Sequence, residues 1–457
     1  MTPEDILAHL TALRQRDLPT HGGRLFAYVY DPAVDGLDVL AGEAHRLASH
    51  TNGLDPMAFP SLLSLENDLV GAAATLLNAP ASAVGNVTSG GTESIILAVK
   101  AARDASPAVT SPRLVMPVTA HPAFAKACAY LRVALDVVPV DPVTLRVDPA
   151  LVDAAITPST VLVVASAPAY AHGLVDPVAS IAAPAAARGI RCHVDACFGG
   201  WVLPYLRRLG VSVPAFDFAV DGVTSISVDL HKYAYAPKGV SVLLHRTQQL
   251  RAPQYFGYAG WPGYTMVNPV VSSTRSGGPI AAAWATVRYL GDEGYLALAA
   301  RTLEAVQGLR KAVESVPDLR LLPCDTTVVA FTSDGVDLFV LADELAALGW
   351  HGQVQFSFGQ IPRSIHLTVT AAVASSLADF ARDLPLAVSA ARSVGAVTAP
   401  VVPDMSVPGL MAALGVTDGQ LPSRMAPINA LLESVPPEIR EQLLVGFLSY
   451  LQHPTRA

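Results

Sequence analysis

Apolar positions along the chain switch between two spacings. Ile6, Leu7, Leu10 and Leu13 recur at helical intervals behind Thr2, a suitable cap, and Pro3, which suits a first turn. The chain therefore opens on a helix whose apolar face needs the main body or a partner. A looser stretch at 21–30 and 50–60, rich in Gly, Asn, Pro and aromatic residues, leads to a helix at 62–77. From about 83 to 244 short apolar runs at 113–116, 135–138, 160–164, 191–194, 225–228 and 240–244 alternate with helical stretches. Strands alternating with helices imply crossover units and a mostly parallel sheet, with ligands beyond the carboxyl ends of its strands. Pro279 starts a long, interrupted helical region reaching about 316. Strand pairs around 327–331 and 365–369, with helices at 338–348 and 371–390, then read as a smaller α/β lobe. Pro400, Pro403 and Pro408 mark 395–408 as a linker or crossing arm before a helical tail.

At 457 residues the chain exceeds what one hydrophobic core usually serves. The pattern predicts an α/β protein with an amino-terminal segment (1–60), a large domain (61–290), a small α/β domain (291–395) and a linker with a helical tail (396–457). Hydrophobic residues make up 51% and charged residues 15%, yet no uninterrupted apolar run reaches the roughly 18 residues of a membrane span. The excess is expected to form core and subunit interface. The net charge of −8 comes from 38 acidic and 30 basic residues scattered without a basic cluster, which argues against nucleic acid as a partner. Cys128, Cys192, Cys197 and Cys324 lack tight metal-ligand spacing, so no metal is expected. The acidic Thr2-Pro3-Glu4-Asp5 start lacks the features of a signal peptide, which points to the cytoplasm.

Three segments carry chemistry. In Ser227-Val228-Asp229-Leu230-His231-Lys232-Tyr233-Ala234-Tyr235-Ala236-Pro237-Lys238-Gly239 an apolar strand ends just before Lys232. A lysine there can reach a site and, as a neutral amine, form an imine with an aldehyde cofactor; it could equally be a surface lysine beside a turn. In Cys192-His193-Val194-Asp195-Ala196-Cys197-Phe198-Gly199-Gly200 a short strand ends in an acid. Asp195 could cap a helix, or keep a cofactor's ring nitrogen protonated while Ala196 leaves room for a flat ring. The order Asp195 then Lys232, each on its own strand, favours the cofactor reading. Thr88-Ser89-Gly90-Gly91-Thr92-Glu93-Ser94 leads into a helix, where glycines and free N–H groups suit a phosphate.

With these segments in view, the sequence resembles the group II pyridoxal-5'-phosphate-dependent decarboxylases of the aspartate aminotransferase fold (fold type I), and within them the sphingosine-1-phosphate lyases. The resemblance continues through Ser166-Ala167-Pro168, Ser273-Thr274-Arg275-Ser276-Gly277-Gly278, Gly349-Trp350 and Ser364-Ile365-His366, nearly the whole chain. It implies pyridoxal 5'-phosphate as cofactor, held by Lys232 as a Schiff base with Asp195 at the pyridine nitrogen. Thr92, Ser89 or Gly91, and His231 would bind the phosphate, His121 would stack on the ring, Thr274 would contact the cofactor from the neighbouring subunit, and Gly90 and Ser273 are further cofactor-binding candidates. A homodimer with shared active sites follows.

At the substrate end the resemblance places Tyr30 at a substrate-contacting tyrosine and Lys238 where the lyases bind a substrate phosphate. Tyr264 is a further substrate candidate. Asp55 stands where the lyases commonly have a histidine that helps hold the phosphate, and a carboxylate there would repel one. Asp55 could instead point away, or Arg275 or Arg363 could replace the histidine. The resemblance implies a carbon–carbon lyase acting on a small amine, a 2-amino-3-hydroxy compound, with Lys238, Tyr30, Tyr235 or the substrate's phosphate as base. Amino-acid decarboxylation is the alternative. Asp195, Lys232 and His121 argue against a catalytically silent scaffold.

Overall fold

A computed structural model of the chain describes residues 1–399, 409 and 422–452. Most of the expected linker lies outside the described residues. The alternating runs form a seven-stranded sheet from β1 (Val84–Thr88), β2 (Arg113–Pro117), β3 (Ala134–Val138), β4 (Thr160–Ser166), β5 (Arg191–Asp195), β6 (Val223–Asp229) and β7 (Ser241–His245), in the order β1-β7-β6-β5-β4-β2-β3. Only β7 runs against its neighbours, so the sheet is mostly parallel, as the pattern predicts. β1 and β6 are both antiparallel to β7. The carboxyl ends of β1, β2, β4, β5 and β6 therefore open on one edge, where the glycine turn, His121, Ser166, Asp195 and Lys232 all sit.

Strands β4 and β7 are wholly buried and β6 almost so, because helices cover both faces of the sheet. The long helix Gly277–Glu314 breaks at Gly291 (φ 58°, ψ −177°). It starts on two glycines because the helix Leu37–Ala48 and the turn after it press against it. A Cβ at Gly277 would lie 1.9 Å from Thr51 Oγ1, and one at Gly278 2.6 Å from His45 Nε2.

The hairpin β8 (Phe256–Tyr258) and β9 (Met266–Asn268) precedes that helix. The smaller lobe holds an antiparallel sheet of β10 (Leu319–Leu321), β11 (Val328–Ser333), β12 (Gln353–Gln355) and β13 (Ser364–Thr368), in the order β10-β11-β13-β12. Its core includes Phe26, Trp350 and Phe380, with Phe26 and Phe380 edge to face at 5.7 Å. The amino-terminal segment thus enters this lobe. Phe26 N–H donates to His351 O and Thr368 N–H to Phe26 O, at 2.9 and 2.8 Å. This crossing places Tyr30 beside the loop that carries Lys232.

The first helix, Pro3–Arg14, is capped by Thr2 as expected, and Asp5 completes a capping box with it. Among the described residues nothing covers its apolar face: Ile6, Leu7, Leu10 and Leu13 are each more than half exposed. The tail forms the helices Ala426–Ser434 and Pro437–Leu451. No helix among the described residues is long and apolar enough to cross a membrane.

Candidate active site

The sheet edge closes around a cavity of about 460 Å³ lined by the glycine turn, His121, Ser166, Asp195, Lys232 and Lys238, among others. That volume suits a cofactor-sized ligand. Asp195 ends β5, and its Oδ1 accepts from Cys197 N–H at 3.0 Å and Ser227 Oγ at 3.5 Å. Behind it, Ser227 Oγ meets His193 Nε2 at 3.1 Å, and His193 Nδ1 meets Ser225 Oγ at 2.9 Å. Burial pushes His193 down to about 4, so its ring is neutral and serves as a fixed hydrogen-bonding spacer.

Lys232 follows β6 and its Nζ lies 2.8 Å from Asp229 Oδ2. Burial alone would depress the ammonium, but the negative field of Asp229 in particular outweighs it and the balance is upward. Neighbouring Cys197 is itself pushed up by burial and stays a neutral thiol. Lys238 lies at the cavity mouth. The residue is exposed, with its Nζ donating to His231 O at 3.3 Å and lying 5.1 Å from the centre of the Tyr30 ring. Partial burial and then the charge of Lys232 lower it to about 8. Tyr30 packs on Tyr233 at 5.1 Å, and burial raises its phenol well above the ordinary value.

His121 Nδ1 accepts from Ala123 N–H at 3.1 Å, so in the neutral ring the proton is on Nε2. Burial holds the ring below its ordinary value. His231 Nδ1 contacts Val240 O at 2.9 Å. The helix Gly91–Asp104 begins without a side-chain cap, which leaves its first N–H groups for an anion. The two glycines there differ. A Cβ at Gly90 would meet nothing within 4 Å, whereas one at Gly91 would lie 2.7 Å from Cys197 Sγ and 2.8 Å from Asp229 Oδ1.

Ser89, Gly90, Gly91, Thr92, His121, Asp195, His231, Lys232 and Lys238 are therefore brought together, with Ala196 fully buried beside Asp195. Ser273 and Thr274 do not line this cavity and are exposed on the single chain. Asp55 and Tyr264 line a second cavity of about 680 Å³ with Phe59, Glu66 and Arg275. There Asp55 Oδ1 caps a turn, accepting from the N–H groups of Met57 and Ala58 at 2.8 and 3.2 Å. Neither arginine considered as a histidine substitute lies in the Lys232 cavity. Arg275 is paired with Glu66 at 2.8 Å, and Arg363 with Asp337 at 3.0 Å and with Glu433.

The sequence reading passed over Asp229, Cys197 and Ser166. Asp229 was recoverable, because a carboxylate that ends an otherwise apolar strand three residues before the key lysine needs a partner. Ser166 Oγ is buried at the cavity without a hydrogen-bond partner among the described residues. An orphaned hydroxyl, an uncapped helix start, an open glycine and a carboxylate facing a lysine fit a flat, anionic aldehyde such as pyridoxal 5'-phosphate.

Comparison with known proteins agrees. The profile of the pyridoxal-dependent decarboxylase conserved domain matches residues 20–332. A sphingosine-1-phosphate lyase of Dictyostelium discoideum is 41% identical over 347 residues, covering 76% of this chain and 65% of that protein. One from Arabidopsis thaliana is 37% identical over 408 residues, covering 87% and 74%. The solved structure of a Burkholderia pseudomallei sphingosine-1-phosphate lyase superposes with a TM-score of 0.82 at 37% identity, covering 86% of this chain and 92% of that one. A second profile, the C-terminal HTH domain of pyridoxal-dependent enzymes, matches 387–450. That stretch carries Arg392, Arg424 and Arg440 as its basic residues. Arg392 and Arg424 pair with Asp318 and Glu344, and Arg440 is bonded to backbone carbonyls. With the profile spanning the large sheet and Lys232 and Asp195 meeting on its edge, the chain belongs to the pyridoxal-dependent decarboxylase family, has its fold type I architecture and takes pyridoxal 5'-phosphate.

Proposed function

We propose that the protein is a carbon–carbon lyase that cleaves a 2-amino-3-hydroxy compound bearing an anionic group, of the sphingosine-1-phosphate type, into an aldehyde and an amine. The observation that carries this reading is Lys238, a second amine in the Lys232 cavity, 5.1 Å from the Tyr30 ring. The relatives' names support it. When bound, pyridoxal phosphate supplies a sink for the electron pair left at Cα as the Cα–Cβ bond breaks.

The chain's own groups do the rest. Lys232 Nζ would hold the cofactor's aldehyde carbon, Asp195 would keep the ring nitrogen protonated, and His121 would stack on the ring. The glycine turn and His231 would take the phosphate. Lys238 is lowered partly by the charge of Lys232, so once that charge is used in holding the cofactor Lys238 recovers toward its ordinary value. It is then an ammonium at neutral pH, suited to a substrate phosphate. Tyr30, held protonated, is a donor at neutral pH and not a base.

Asp55, Tyr264, Ser273 and Thr274 act, in this reading, at the active site of a second copy, making the protein a homodimer. The exposed aromatic residues Phe256, Tyr258, Trp261 and Tyr264 around β8 and β9 support an interface there. We place the dimer in the cytoplasm and retain 61–290 and 291–395 as its large and small domains.

A cation beside Lys232 also suits a carboxylate, so amino-acid decarboxylation is the competing reading. Purified protein loaded with cofactor should release a long-chain aldehyde from sphingosine 1-phosphate and little carbon dioxide from amino acids. Carbon dioxide release without aldehyde would reverse the assignment.

A further inference from the structure

Lys232 does not stand alone in the cavity. Asp229, the last residue of β6, is 3% exposed; its Oδ2 lies 2.8 Å from Lys232 Nζ and 3.5 Å from His231 Nε2, and its Oδ1 accepts from Ser241 Oγ at 2.5 Å. These contacts fix the carboxylate in place. It also lies against the phosphate cradle: a Cβ at Gly91 would fall 2.8 Å from Oδ1 and 3.1 Å from Oδ2. A buried carboxylate so placed opposes an incoming phosphate unless its charge is matched, and the ammonium of Lys232 matches it. An ammonium, however, has no lone pair with which to attack an aldehyde.

We propose that Asp229 is a positioning residue that holds Lys232 as a buried ion pair and accepts the proton its Nζ must lose, so that the chain captures its aldehyde cofactor without giving a proton up to solvent. Nζ begins with three protons. One passes to Asp229 Oδ2 along the 2.8 Å contact. The freed electron pair forms the carbon–nitrogen bond, and the carbonyl oxygen leaves as water with the other two. The pair has no net charge before or after. The carboxylate thus loses its charge as the phosphate arrives beside Gly91, and release by water runs the same steps backward.

The groups around the pair leave Asp229 as its controlling charge. Facing Lys232 are Cys197 and Tyr170, both pushed up by burial and neutral, and His121, pushed down and neutral. Tyr30, also protonated, faces Asp229, and His231 beside it is held below its ordinary value by burial. Asp195 and Lys238 remain, with opposite charges.

The test uses the full chain stripped of cofactor and needs no substrate, so a wrong choice of substrate leaves it intact. Trace acetylation across pH, read by mass spectrometry on the peptides carrying Lys232 and Lys238, gives the titration of each amine. In the wild-type chain Lys232 should titrate above the ordinary lysine value of about 10.4 and Lys238 below it. In Asp229→Asn the Lys232 midpoint should fall by about one pH unit or more, and pyridoxal phosphate uptake, nearly flat with pH in the wild-type chain while the pair is intact, should rise by roughly tenfold per pH unit below that midpoint because the proton must then go to solvent. A wild-type Lys232 midpoint at or below about 10.4 overturns the proposal even if the variant fails to fold. So does a folded Asp229→Asn chain whose Lys232 titration is unmoved.

Discussion

The ammonium of Lys238 lies 5.1 Å from the ring centre of Tyr30, a cation over an aromatic face that reaches it from the amino-terminal segment. The contact holds the amine over the cavity mouth without using up its charge, which leaves it free for a substrate anion. Lys238→Met should raise KM for a phosphorylated amino alcohol and lower kcat/KM by roughly tenfold to a hundredfold, the loss of a charge-assisted hydrogen bond of about 1.5–3 kcal/mol. An unphosphorylated analogue should be nearly indifferent. The sign of the pH effect follows from the charge: the value is near 8 in the cofactor-free chain and recovers upward when the cofactor is held, so binding of the anion weakens as pH rises above 8 toward the ordinary lysine value of about 10.4. Steady-state kinetics from pH 6 to 10 on both substrates would show it. Equal losses on both would place Lys238 in the chemistry and not in anion binding.

Asp195 is held at one oxygen by Cys197 N–H and Ser227, so Asp195→Asn should keep its place while losing its charge. The ring nitrogen would then lose its proton and the electron sink would weaken. Turnover should fall by at least about a hundredfold, a barrier increase near 3 kcal/mol, with cofactor content largely retained. Absorbance of bound cofactor measured beside kcat separates the two effects. Near wild-type turnover would sink the role given to Asp195.

Legibility followed the physics of each element. The sheet could be read because buried strands are short apolar runs between helical stretches, and the three site segments because each joins a strand end to residues with few other uses. β1 was not seen as a strand, since Gly85 and Asn86 break its apolar run; its place is set by pairing with β7. Gly91 was read as a phosphate glycine, but its missing side chain is required by Asp229 and Cys197, a contact between segments that spacing along the chain cannot show. Asp55 and Tyr264 were grouped with Lys238 by resemblance, whereas within one chain they line another cavity.

Asp55 caps the turn at Met57 and Ala58 with one oxygen. Asp55→Ala should lower stability by about 0.5–2 kcal/mol through loss of that cap, and Asp55→Asn, which keeps an acceptor, by only a few tenths. If the second copy presents its substrate phosphate to this cavity, Asp55→Asn should also lower KM for phosphorylated substrates by removing a like charge. Urea unfolding and KM measured on the two variants would test cap and charge separately. A KM unchanged in Asp55→Asn would confine Asp55 to its turn.

The pair between Glu66 and Arg275 joins the helix Pro60–Leu76 to the loop carrying Ser273 and Thr274, and it is largely buried, with side-chain exposures of 5% and 15%. Glu66 Oε1 also accepts from Val87 N–H at 2.9 Å, one residue before the end of β1 and the glycine turn. Arg275→Met would leave Glu66 charged, buried and without its cation, which costs about 3–5 kcal/mol. Replacing both partners removes the uncompensated charge, so Glu66→Leu with Arg275→Met should recover much of that loss, although Val87 N–H then lacks its acceptor. The urea midpoint should fall steeply in the single variant and partly return in the double. Because the pair ties the glycine turn to the loop of Thr274, cofactor affinity should fall in the single variant even where the fold survives. A single variant as stable as the double would mean that Glu66 finds another cation or takes up a proton, and that the pair does not hold the loop to β1.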